Sequence, residues 1–248
     1  MLLFKSNISI KVICITALFI SIVNSGCDVQ SQAQLNNIIG QINKPSTIQI
    51  VSGLKEALEV GASISSSRLA QKDGFLGNSS LKILFPKEAQ KAEQALRNIG
   101  LGRLADNVIL TINRAAETAV IEAKPIFITA IKQMTINDAY NILFGSTNAA
   151  TEYFKSATSY QLTEKFKPII QLQLNKVGAT KYWGEVSSKY NLISKTPIDT
   201  DLSAYVTQKA IEGLFQEIAV EEAKIRLNIN ARTSPLLQQV FGYADRNK

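Results

Sequence analysis

The chain has 248 residues, of which 46% are hydrophobic and 19% charged, and a formal net charge of +7. That balance excludes a disordered polymer, and the length is enough to bury one sizeable core or to split into two small ones. No histidine occurs and no cysteine follows Cys27. This excludes Ser–His and Cys–His nucleophile systems, structural disulfides, and the metal and haem sites that need imidazole or thiolate.

The first element is an export signal. "MLLFKSNISIK" carries Lys5 and Lys11, and "VICITALFISIV" (Val12 to Val23) follows without a charge. This reads as the n-region and h-region of a signal peptide, since a bilayer span needs about 20 apolar residues. Ser25 and Gly26 before Cys27 resemble a lipobox, in which the cysteine is acylated and becomes the mature N-terminus, although Asn24 stands where an aliphatic residue is usual. The alternative is ordinary cleavage after Ser25, which would carry one unpaired thiol into an oxidising compartment. Acylation of Cys27 removes that anomaly. We therefore expect a signal peptide over residues 1–26, a lipid anchor and polar tether over 27–45, and a helical domain over 46–248. Losing residues 1–26 removes two lysines and no acid, leaving a charge of +5.

Within the tether, Leu35, Ile38, Ile39 and Ile42 make a brief apolar stripe that Pro45 ends. Helical periodicity then runs nearly throughout. Ile50, Val51, Leu54, Ala57, Leu58, Ala62 and Leu69 share a face, closed by Gly74. In "LKILF", Leu81, Ile83 and Phe85 alternate with Lys82 and Leu84, which predicts one extended segment near residues 80–85. Pro86 opens the next helix and Gly100 lies past its end.

Leu104, Val108, Ile109, Ile112, Ala116 and Ala119 predict a further helix, interrupted at Pro125. Thr135 and Asp138 stand at capping-box spacing for a helix closing at Gly145. From "NAATEYFKSATSYQLTEKFKPII" onward, Phe154, Ala157, Leu162, Phe166, Ile169, Ile170 and Val177 make a drifting inward stripe, which Pro168 is expected to kink or break. "ATKYWGEVSSKYN" is a short helix and "LISKTPIDT" a loop. The segment from Asp201 to Asn228 is expected to be the longest helix, with Leu202, Val206, Ile211, Leu214, Phe215 and Ile218 inward. Ser234 caps the last helix and Pro235 begins it. The expected fold is all-α: one irregular bundle of about nine helices without a fixed repeat.

Eight stretches, among them "IVSGLKEALEVG", "AEQALRNIGLGRLAD", "EAKPIFITAIKQMTINDAYNILFG" and "ARTSPLLQQVFG", resemble successive blocks of the bacterial domain-of-unknown-function family 4197. The likeness covers roughly residues 48–242, in order. It implies a helical envelope domain, often behind a signal peptide or lipobox, and brings no activity, substrate or catalytic residue with it.

Three constellations remain. Arg114 and Glu117 stand at i, i+3 in an alanine-rich run. The plain reading is a surface pair, and the functional one a partly buried pair lining a cleft near Lys124 or Arg232. Seven lysines lie between Lys155 and Lys195, and six acids between Thr196 and Ile225. This is either a solvated lysine face beside an acidic helix or a surface for an anionic lipid or envelope polyanion. Tyr153, Tyr160, Glu164 and Lys167 run beside the inward phenylalanines, as a tyrosine rim on the core or as a site for proton transfer. No D-x-D-x-D-G loop, G-x-x-x-x-G-K-[ST] loop or G-x-S-x-G elbow occurs, so no cofactor, metal or catalytic residue is assigned.

The resulting expectation is an exported cell-envelope lipoprotein, anchored through Cys27 to the inner or outer membrane. It would work by binding or scaffolding, with Arg114, Glu117, Tyr153, Tyr160 and Glu164 as the candidate ligand or partner surface. The partner would be an anionic envelope component or another envelope protein, and no nucleic acid is expected. Two rivals stand beside it: a carboxylate- and tyrosine-based hydrolase of envelope glycans, and a carrier of an apolar ligand.

Overall fold

Ser46 begins the ordered helices with a capping box. Its hydroxyl accepts from the Gln49 N–H, and the Gln49 side chain accepts from the Ser46 N–H. Two of the orphan donors of a helix start are satisfied in this way. The computed structural model describes residues 44–193, 197 and 201–247. The expected signal peptide, Cys27 and the tether before residue 44 lie outside them. A compact unit begins at Pro45.

Among the described residues there are nine α-helices and no strand: α1 (Thr47–Ala70), α2 (Gln90–Asn98), α3 (Gly102–Ala119), α4 (Ala123–Gln133), α5 (Ile136–Leu143), α6 (Ala149–Lys176), α7 (Ala179–Ile193), α8 (Leu202–Leu227) and α9 (Pro235–Arg246). Seven span 11 residues or more, and α2 and α5 are short pieces of 9 and 8. Short 3-10 turns precede α2, α4 and α9. The all-α expectation holds. α8 packs against α6 and α1, α3 against α6, and α4, α5 and α9 against α1.

Apolar periodicity places the core. Ile50, Leu54, Ala57, Leu58, Ala62 and Leu69 of α1 are buried, as are Phe154, Leu162, Phe166, Ile170 and Leu174 of α6. The Phe127 ring of α4 lies 4.8 Å from that of Phe154 and 6.3 Å from that of Phe215. Each such buried side chain contributes about 1.5–3 kcal/mol relative to exposure. Gly53 has a packing reason: a Cβ there would stand 2.8 Å from Val240 Cγ2, so glycine lets α9 approach α1 closely.

Residues 82–86 carry no regular structure, and the expected alternation is present. Leu81 and Ile83 are buried, whereas Lys82 and Leu84 are exposed. Such a segment has backbone groups that need partners. Asn113 supplies them: its Oδ1 accepts from the Ile83 N–H at 2.9 Å, and its Nδ2 donates to the Ile83 carbonyl at 2.8 Å.

Several boundaries differ from expectation. Pro168 does not break α6, which runs 28 residues and is the longest helix, two residues longer than α8. Pro168 and Glu164, whose carbonyl a proline at 168 leaves without its donor, are both exposed, so water can serve that carbonyl. Meanwhile Leu162, Phe166, Ile170 and Leu174 pack continuously at four-residue spacing across the proline. The interruption expected at Pro125 falls a few residues earlier: α3 ends at Ala119, a 3-10 turn spans Val120–Glu122, and Pro125 lies within the first turn of α4. Leu104 is 45% exposed while Ala105 is fully buried, so the first turn of α3 turns its small side inward, and Val177, expected inward, is 55% exposed because it lies past the end of α6.

Candidate functional site

Arg114 and Glu117 do pair, at 2.5 Å, but not as a surface bridge. Glu117 is 4% exposed, and its Oε1 accepts from the Phe75 and Leu76 N–H groups at 3.2 and 3.3 Å. Arg114 also reaches Asp73 at 2.7 Å. Asp73 has φ +70°, a left-handed conformation that aspartate tolerates better than most residues. The carboxylate of Glu117 therefore fastens the α1–α2 connection to α3. Arg232 does not join this pair: it bonds the Ile225 and Arg226 carbonyls and Asp245.

The aromatics of α6 divide as expected. Phe154 and Phe166 are buried, Tyr153 is half-buried, and Tyr160 is 74% exposed. The Tyr153 hydroxyl donates to the Ala130 carbonyl at 2.9 Å. Burial, with the negative charge of Asp138 adding to it, pushes that phenol above its ordinary value. Tyr160 and Glu164 line an open groove of about 440 Å³ between α4 and α6, together with Glu122, Thr129 and Gln161. Lys167 faces elsewhere, pairing with Asp201 at 2.8 Å. The rim thus keeps Tyr160 and Glu164 together and parts them from Lys167.

The largest buried polar cluster was not anticipated. Glu222 (8% exposed) and Arg226 (7%) bond on α8. The Glu222 carboxylate accepts from the Ala150 and Thr151 N–H groups, both at 2.9 Å, and from the Thr151 hydroxyl at 2.8 Å. Asn148, at the N-cap of α6, makes no side-chain cap, so Glu222 performs that task from another helix. Arg226 donates to the Ile142 and Leu143 carbonyls at 2.8 and 3.3 Å, satisfying the end of α5. Each charge thus sits at the helix terminus whose partial charge opposes it.

A second cluster joins α1 to α8. Arg68 bridges the buried carboxylates of Glu217 and Glu221, and Lys224 reaches Glu221 at 2.8 Å. Burial favours the neutral form of Glu221, but the hydrogen bonds from Lys224 and Arg68 outweigh it and hold that carboxyl below the ordinary glutamate value. The clue was present in "EIAVEEAKIR". Counting from Leu214 and Ile218 puts Glu221, Glu222 and Ile225 on the inward arc, and Glu222 and Arg226 at i, i+4.

Two long furrows flank the outer line of α8. One, of about 580 Å³, lies toward α6 and includes Lys155, Ser159, Thr163 and Lys167. The other, of about 710 Å³, lies toward the extended segment and includes Lys82, Lys87, Trp183 and Tyr205. They share Gln208, Glu212 and Gln216. An apolar pocket between α1, α6, α8 and α9 measures about 30 Å³, room for a water or two rather than an acyl chain. Among the described residues, no cluster of three or more acidic groups could hold a metal, and no helix is long and apolar enough to cross a membrane.

The architecture defines an all-α bundle whose internal charges brace helix ends. Residues 44–242 match the family described as Protein of unknown function (DUF4197), and the chain belongs to that family. No curated protein and no solved structure matches it.

Proposed function

We propose that the chain is an exported envelope lipoprotein, held to a membrane through an acylated Cys27, and that its bundle acts by binding or scaffolding. One observation supports the binding role above others. The buried carboxylates Glu117, Glu217, Glu221 and Glu222 each have at least one oxygen held by backbone N–H groups or by Arg and Lys partners, whereas the open furrows along α8 present amides, hydroxyls and lysines to solvent. Groups engaged in bracing the fold are poorly placed to exchange protons with a substrate. The address rests on the charged start, the apolar run of 12 residues and the small residues before Cys27.

Intact-mass measurement of the protein from its native membranes tests the address. Acylation predicts a mature chain beginning at Cys27 with added lipid mass, and its disappearance together with membrane retention in Cys27→Ser. An unmodified, freely diffusing chain beginning at Gly26 overturns it.

A second reading has its own observation. Glu122 and Glu164 line the same open groove beside Tyr160, a placement from which paired carboxylates could act on a glycan. Turnover of soluble envelope glycan that survives in wild type and is abolished by Glu164→Gln would favour hydrolysis over binding.

A further inference from the structure

The furrows along α8 have a chemistry that selects among ligands. Of α8 between Leu202 and Val220, only Gln208, Glu212, Gln216 and Val220 are exposed, one residue per turn. The helix therefore lies recessed, with α6 rising on one side and residues 80–87 on the other. Tyr205 fixes the second wall by donating to the Leu84 carbonyl at 3.0 Å. Between Ala204 and Ala219 the trough follows about 22 Å of helix at 1.5 Å per residue.

Five lysines line it: Lys155, Lys167, Lys82, Lys87 and Lys209. Three are matched, Lys155 by Glu152, Lys167 by Asp201 and Lys209 by Glu212. That leaves Lys82 and Lys87 as the net positive charge, both on one wall. The remaining polar lining is carboxamide and hydroxyl: Ser159 and Thr163 already donate to the Lys155 and Ser159 carbonyls and Gln208 donates one N–H to Glu212, so these side chains offer oxygens that accept from a ligand's hydroxyls. Ile211 and Phe215 at the floor are 9% and 4% exposed, so the apolar surface of the trough lies on its walls, as at the exposed Leu84, where the C–H faces of sugar rings can rest. Contiguous phosphates would meet two unmatched cations and a line containing Glu212, a poor match for dense negative charge.

The geometry points to this trough as a binding site for an extended, sparsely carboxylated glycan strand: its hydroxyls bond to Gln208, Gln216, Ser159 and Thr163, and its carboxylates face Lys82 and Lys87. This inference rests on the binding reading above and names its ligand class, while the anchoring test is independent of it.

Equilibrium dialysis of the full chain in detergent, with fluorescent oligogalacturonate as carboxylated probe and its methyl ester as neutral control, tests the site. Binding of the acid form, at least tenfold weaker for the ester and for Lys82→Ala/Lys87→Ala, is the expected result. Lys176→Ala/Lys181→Ala, which removes two exposed lysines outside the trough, should leave binding unchanged. The variants alter only exposed side chains, and unchanged thermal unfolding verifies their folds. Absence of binding to the acid form, equal binding of acid and ester, equal losses in both lysine pairs, or tighter binding of inorganic polyphosphate than of oligogalacturonate overturns the proposal. Any of these results obtained with an acylated Cys27 removes the glycan site and leaves the anchor standing.

Discussion

Arg226 donates to Glu222 on its own helix and to two carbonyls of α5, and because Glu222 also holds the start of α6 the pair ties α8 to both α5 and α6. Replacing it with methionine keeps most of the volume but leaves Glu222 buried and charged without its cation. Loss of one partner of such a pair costs about 3–5 kcal/mol. We expect Arg226→Met to lose stability on that scale by urea unfolding. Glu222→Gln removes the charge and keeps one of the two oxygens that accept from the Ala150 and Thr151 N–H groups, so the double variant should cost clearly less than the two single losses added. Strict additivity would mean that the pair is not coupled. Glu117 follows the same logic on a smaller scale, since it holds two N–H groups of the α1–α2 connection together with Arg114.

Glycines of α1 set apart two demands on one helix. Gly61 has only Glu221 Cβ at 3.8 Å as a neighbour for an added methyl. Gly61→Ala should therefore stabilise by up to about 1 kcal/mol, the difference between glycine and alanine inside a helix. At Gly53 the same change drives a methyl to 2.8 Å from Val240 Cγ2 and 3.3 Å from Leu236 Cγ. Overpacking of this kind costs about 1–3 kcal/mol and exceeds the propensity gain. Melting temperatures of the two variants should move in opposite directions, and Val240→Ala should relieve part of the Gly53→Ala loss. A common direction for both would refute the close approach of α9 to α1.

The bundle as a whole joins its longest elements through charges that titrate in acid. Glu221 has a folded-state value lowered from 4.5, with Lys224 and Arg68 overcoming its burial. A carboxyl lowered on folding contributes stability above its unfolded value, and that contribution is lost as pH falls through the folded one. Asp201 acts in the same sense near the start of α8: burial raises it, but Lys167 and the N–H of Ala204 bring it below the ordinary aspartate value. Stability should thus hold near neutrality and fall below about pH 4.5. Glu221→Gln should lower stability at pH 7 and flatten the acid limb of the profile, read as urea midpoints from pH 7 to pH 3. An acid limb as steep as that of wild type would remove Glu221 from the linkage.

What the sequence by itself determined is the kind of fold and much of its lining. Apolar residues recurring every three or four positions dictate helices and name Leu54, Phe154, Phe166 and Leu214 as core, because a helix has one face to hide and the pattern states which. Capping boxes at Ser46 and Thr135 and the Ser234–Pro235 start were equally readable, since their partners lie three residues away. The placement of the charges was decided only by tertiary structure. Glu222 lies 72 residues from the Ala150 N–H it accepts, and Arg226 lies 84 from the Ile142 carbonyl. A carboxylate or guanidinium at the end of an amphipathic arc is as well suited to water as to a helix terminus. Which of the two it meets depends on where other helices end in space, and local periodicity carries no information about that. For the same reason Pro168 stayed within α6: the unbroken packing on its inner side outweighed a backbone bond lost on its wet one.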